Sequence, residues 1–265
     1  MRPIQRPITL LAALALSAAP ALADLIAEDF EPYAAGTFPG GPWHDIAGRA
    51  DANPAPSPTM FVINTVDAHG ELTHALQTTA VNGTNGVFAD IEQARAHTVT
   101  MDVRIDRLAS PGEGWPAGVG FLQDAGLGDV NRNPHAVIYG WTDRSWHLFV
   151  SQGVDSQAVD LRINGSGFQI GIWYTLSLMV DTETGTFEAS VLDAATGALI
   201  GSRAHTFDGW DADRGHYDAI SMFDGELPGS STAGRSSIDN VRYVPVPSMS
   251  CLLLSAMAMR AIRRR

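Results

Sequence analysis

Apolar and polar residues alternate along most of this chain. In His97–Asp106, Val99, Met101, Val103 and Ile105 fall on one side, and Thr100, Asp102, Arg104 and Asp106 on the other. Period two is the mark of a half-buried strand. Trp173–Asp181 repeats it, with Leu176, Leu178 and Val180 against Thr175 and Ser177, and Thr186–Asp193 puts Phe187, Ala189 and Val191 inward. Between them lies Asp181-Thr182-Glu183-Thr184-Gly185. Asp193-Ala194-Ala195-Thr196-Gly197 follows in the same form. Both predict hairpin turns in which Gly supplies positive φ. Similar patterning predicts strands near 25–31, 59–65, 73–79, 86–91, 117–123, 136–141, 146–152, 157–163, 199–206, 218–223 and 235–244. No stretch between 24 and 244 carries a 3.6-residue period. Many short strands joined by Gly and Asp turns predict one all-β, antiparallel jelly-roll sandwich over residues 24–244.

The two ends break this pattern. Arg2 and Arg6 precede an apolar run, Ile8 to Ala19, and then Ala21-Leu22-Ala23. A basic start, an apolar core and a small-x-small site predict a secretory signal peptide over 1–23. At the other end, Val244-Pro245-Val246-Pro247-Ser248 leads into an apolar run, Met249 to Met259. Arg260 and Arg263, Arg264 and Arg265 follow. This resembles the bacterial PEP-CTERM sorting signal, although Val246 stands where that family usually has Glu. The resemblance implies a tail over 245–265 with a short hydrophobic helix, an exosortase-type processing enzyme as partner, and transient membrane anchoring. The protein is then secreted, to the cell surface or an extracellular matrix.

Composition narrows the chemistry. The chain has 265 residues and one Cys, Cys251 in the tail. No disulfide framework or cysteine zinc cluster is available. All 17 basic residues are Arg, which excludes Schiff-base and P-loop lysines. Residues 24–245 hold 11 Arg against 29 Asp and Glu, a net of −18. That surface repels nucleic acid.

Asp29-Phe30-Glu31, Tyr33–Thr37, Trp173–Leu176 and Ile238-Asp239-Asn240-Val241 together resemble concanavalin A-like lectin/glucanase (LamG-like) domains of exported bacterial proteins. The resemblance implies two antiparallel sheets, sugar binding and sometimes a structural calcium. The hard oxygens that calcium needs are available from Asp29, Glu31, Asp239 and Asn240, if the first and last strands are neighbours. With Val241 and Tyr243 facing the core, Asp239 is expected to face it too. Asp129, Asn131 and Asn133 have the opening spacing of a calcium loop, but Pro134 stands where Gly is needed.

Sugars stack on flat aromatic rings while polar groups hold their hydroxyls. The aromatic centre is the hairpin 136–151. A four-residue turn, Thr142 to Ser145, pairs Trp141 with Trp146 and Tyr139 with Leu148. Tyr139, Trp141 and Trp146 then share one face, core or groove, and His147 and Phe149 the other. Trp115 and Trp210, in Gly- and Asp-rich loops, complete the candidate set. Catalysis finds less support. The E-x-D-x-x-E run of sandwich glucanases is absent, and no motif brings Arg104, His147 and Tyr139 together as a lyase would need. The reading is a surface-sorted module that binds extracellular polysaccharide. The alternatives are a structural matrix protein or, less favoured, a polysaccharide-degrading enzyme.

Overall fold

The computed structural model describes residues 26–45, 60–78, 84–91, 94–108, 115–123, 135–152, 158–212, 217–225 and 234–246. The signal segment, Pro247, Cys251, Arg263–Arg265 and the Asp129–Asn133 loop lie outside them.

Sixteen antiparallel strands and no helix occur among the described residues. In chain order they are β1 (Ile26–Glu28), β2 (Trp43–Asp45), β3 (Met60–Val66), β4 (Leu72–Thr78), β5 (Thr84–Asp90), β6 (Ala96–Arg107), β7 (Trp115–Leu122) and β8 (His135–Gly140). Then come β9 (Trp146–Ser151), β10 (Ala158–Arg162), β11 (Asn164–Gly165), β12 (Trp173–Asp181), β13 (Thr186–Asp193), β14 (Leu199–Thr206), β15 (Ala219–Gly225) and β16 (Arg235–Val246). One sheet runs β11-β14-β13-β12-β6-β16-β4-β3, with β1 also on β16. The other runs β10-β9-β8-β7-β15-β5-β2.

The alternation read from the sequence is the alternation of burial. Val99, Met101, Val103, Ile105, Leu176, Leu178 and Val180 of the larger sheet meet Val119, Phe121, Ile138, Leu148, Ile220 and Met222 of the smaller one in a single core. Both Asp…Thr-Gly segments are tight turns. Asp181 Oδ1 accepts the Glu183 and Thr184 N–H groups, Asp193 Oδ1 accepts that of Thr196, and Gly185 and Gly197 have φ of 66° and 67°. The sequence pattern did not signal β2 and β11, which at three and two residues are too short to show a period.

One expectation about facing is corrected. Asp239 pairs with Asp102, but Arg242, three residues on, pairs with Thr100. The extra residue is a bulge with Asn240 at φ 50°. It resets the alternation, so Val241 and Tyr243 enter the core while Asp239 stands on the outer side with Asp102.

The pairings also fix where Val246 lies. Val246 and Asp181 both pair with Ala96, and Trp173 pairs with Arg104, eight residues along β6. At 3.3 Å per residue those points are about 26 Å apart. Val246, the last described residue, lies at the Ala96 end.

Candidate functional site

The β8–β9 hairpin carries the site, and its loop sets the geometry. The Trp141 N–H donates to the Ser145 carbonyl, and the Arg144 N–H to that of Trp141, each at 2.8 Å. Arg144 takes a φ of 67°. A three-residue loop whose last residue has positive φ is a common hairpin closure. Trp141 therefore lies opposite Ser145, Gly140 opposite Trp146, and Tyr139 opposite His147. The expected four-residue turn is one residue too long, and a one-residue slip turns every side chain of one strand to the other face.

Trp146 is consequently a core residue. It is 2% exposed and packs on Phe168 and Tyr174 at 5.1 and 5.5 Å between ring centroids. A ring without a free face cannot stack on a sugar, so Trp146 leaves the carbohydrate-binding set. His147 moves the other way and joins Tyr139 and Trp141 on the outer face. Its ring lies 5.6 Å from Tyr139 and 5.8 Å from Trp141. Trp115, at the start of the neighbouring β7, lies 6.4 Å from Trp141, and both indoles are partly exposed. Four of the expected residues thus form one patch.

Trp210 does not join them. Its Nε1–H donates to the Thr182 carbonyl at 2.7 Å, and its ring packs on Phe187 and Phe207 over Gly185. There it closes the β12–β13 turn.

Three residues that the sequence reading missed complete the patch. His147 Nδ1 lies 2.9 Å from Asp160 Oδ1, and the Tyr139 hydroxyl donates to Asp160 Oδ2 at 3.1 Å. His147 Nε2 is 2.8 Å from Ser145 Oγ, and the Ser145 hydroxyl and N–H both donate to Asp143 Oδ1. Burial first, then the Asp160 charge, pushes the Tyr139 phenol far above its ordinary range. The Ser145 hydroxyl, with its N–H, Arg162 and His147, holds the Asp143 carboxyl below the ordinary carboxylate value. Alternation placed Asp160 on a strand, but nothing in the sequence pairs β10 with β9.

The order Ser145–His147–Asp160 is that of a serine-hydrolase relay. Here Ser145 is 2% exposed, which denies it the access a nucleophile needs. The array instead fixes the rings and the carboxylates. Arg104 lies on the outer side of the other sheet, bonded to Asp106 at 2.6 Å and stacked over Trp173 at 4.9 Å, so it does not meet His147 and Tyr139.

The residues expected to hold calcium bond to the protein itself. Strands β1 and β16 are neighbours. The Thr73 hydroxyl lies within hydrogen-bond distance of both Glu31 and Asp239, and Asn240 Nδ2 donates to Asp102. Asp29 accepts the Glu31 N–H within its own turn. Among the described residues no group of three His, Cys, Asp or Glu side chains converges.

No family model and no curated protein matches this chain. Solved structures do match. One comes from work on the endo-acting O-glycanases with which human gut microbiota initiate mucin breakdown, at 13% identity over 84% of this chain and 99% of that one, with a TM-score of 0.53. A putative beta-glucanase from Mycobacterium abscessus matches at 14% identity over 83% and 99%, TM-score 0.49. Lectin II from Ulex europaeus matches at 9% over 84% and 99%, TM-score 0.47. The fold is a concanavalin A-like β-sandwich. Within a concanavalin A-like sandwich, the aromatic patch occupies the outer side of the smaller sheet, at the tip of the β8–β9 hairpin. A shared fold at this identity carries no activity with it.

Proposed function

We propose that the protein is a secreted, surface-sorted carbohydrate-binding module for extracellular polysaccharide, and that Trp115, Trp141 and His147 form its ligand platform, with the buried Tyr139 holding His147 and Asp160 in place. The observation that carries this reading is the patch itself. Two partly exposed indoles lie side by side, next to a carboxylate whose position is locked by Tyr139 and His147. Aromatic faces supply stacking for pyranose C–H groups, and a fixed carboxylate supplies hydroxyl acceptors. The Pro-rich, apolar and basic order of residues 244–265 supports the sorting part of the reading, with an exosortase-type enzyme acting at the tail.

The test is retardation of the full chain in native gels cast with soluble polysaccharides, followed by titration calorimetry on those that retard it. Trp141→Ala and Trp115→Ala should each weaken binding by about tenfold or more, as central aromatic anchors do. Trp210→Ala, away from the patch, should leave affinity unchanged. Equal affinity in all three variants would remove the platform from the function. Failure to bind any polysaccharide would favour a structural matrix protein without a small ligand.

A further inference from the structure

The hydrogen-bond accounting of the patch points past "carbohydrate" to a class of carbohydrate. Several of the nearby donors are spent inside the protein, while the Arg162 side chain stays 67% exposed. Tyr139 O–H and one His147 nitrogen are directed to Asp160, Ser145 O–H and N–H to Asp143, and the Arg162 guanidinium lies 3.8 Å from Asp143 Oδ2. The two carboxylates also keep acceptor capacity. An ionised carboxylate has about four lone-pair sites, and each Asp160 oxygen meets one protein group. The Asp160 and Asp143 side chains are 43% and 52% exposed, so those lone pairs face solvent beside the two indoles. Arg144, at the hairpin tip, is the other cation in this loop. Both arginines belong to a segment, residues 24–245, whose formal net charge is −18.

Resting on the carbohydrate-binding reading, we propose that this patch takes glycans that bring hydroxyl or ammonium donors and no anionic groups: neutral or amino-bearing polysaccharides, not polyuronates or sulfated chains. A hydroxyl or an ammonium finds the free lone pairs of Asp160 and Asp143. A uronate or sulfate meets like charge at both carboxylates and must cross a negative field to reach them. Like-charge contacts of this kind set specificity by rejection.

The test is calorimetry of the full chain against three soluble probes at low and high salt: hydroxyethylcellulose, partly deacetylated chitin oligomers and alginate. The expected result is binding to one or both of the first two and none to alginate, with the amino oligomers weakening as salt rises and the neutral chain indifferent to it. Asp160→Asn should cost the amino oligomers about tenfold, the size of one partly exposed charge contact, and Asp143→Asn less. The thermal midpoint of each variant, measured alongside, shows that it is folded. Glu188→Gln, an exposed charge removed on the other sheet, should change nothing. If alginate binds as well as the other probes and Trp141→Ala abolishes that binding, the glycan class is overturned while the platform stands. If no probe binds, the carbohydrate reading itself is overturned. Amino-oligomer affinity that is unmoved by both Asp160→Asn and Asp143→Asn would also overturn the assignment.

Discussion

Asp239 carries its carboxyl where water scarcely reaches it, at 2% exposure. Burial raises its pKa from 3.8 to about 7, against the lowering bonds from Asn240 and Thr73, and Asp102 and Glu31 add repulsion. The folded state therefore holds a proton that the unfolded chain releases. Its stabilisation is complete below about pH 4 and is lost as pH rises through about 7. His97 works in the opposite sense. Burial lowers its pKa from 6.5 to about 4, so its stabilisation is complete above pH 6.5 and is lost as pH falls through 4. The two effects offset each other across the same window. Asp239→Asn should separate them. By thermal unfolding in EDTA, the variant should melt higher than wild type at pH 8, and the two should converge near pH 4. A gap that stays constant with pH would place the effect elsewhere. Neither role was legible in the sequence. The bulge at Asn240 that turns Asp239 outward has no composition signal, and the cover over Asp239 comes from Thr73 and Glu31, far away in the chain.

At the scale of the element, the β8–β9 loop decides which residues form the site. Arg144 sits at a φ of 67°, which Gly adopts without strain. Arg144→Gly should leave the melting temperature unchanged or raise it slightly, and Arg144→Val should lower it, because a β-branched residue resists that conformation. On β7 the outward glycines leave room for the neighbouring strands. A Cβ on Gly120 would lie 2.3 Å from Val137 Cγ1 and 2.4 Å from the Ala136 carbonyl oxygen. Because a backbone atom cannot move aside cheaply, Gly120→Ala should cost about 1–3 kcal/mol in a denaturant titration. The strands themselves were readable, since burying one face of a strand leaves period two in its sequence. Loop length was not. Trp141 to Trp146 accommodates a three- or a four-residue turn, and only the left-handed backbone at Arg144 separates them.

At the scale of the whole molecule, the patch and Val246 lie toward opposite ends of β6. A Cβ on Gly140, next to Trp141, would lie 3.2 Å from Ile105 Cδ1, at the far end of β6 from Ala96, where Val246 lies. Protein immobilised through position 246 should therefore bind polysaccharide with the affinity found in solution. A marked loss on a surface-resonance chip would show that the tether end takes part in binding. The sequence by itself determined the all-β class, most strand positions and both Asp…Thr-Gly turns, because burial of alternate residues and the need for positive φ act locally. Only the tertiary structure decided that Trp146 is core, that Trp210 closes a turn, and that Asp160 and His147 stand together beside Tyr139. Those outcomes depend on strand register and on which distant strands become neighbours, and pairing between remote segments leaves no mark on either segment alone.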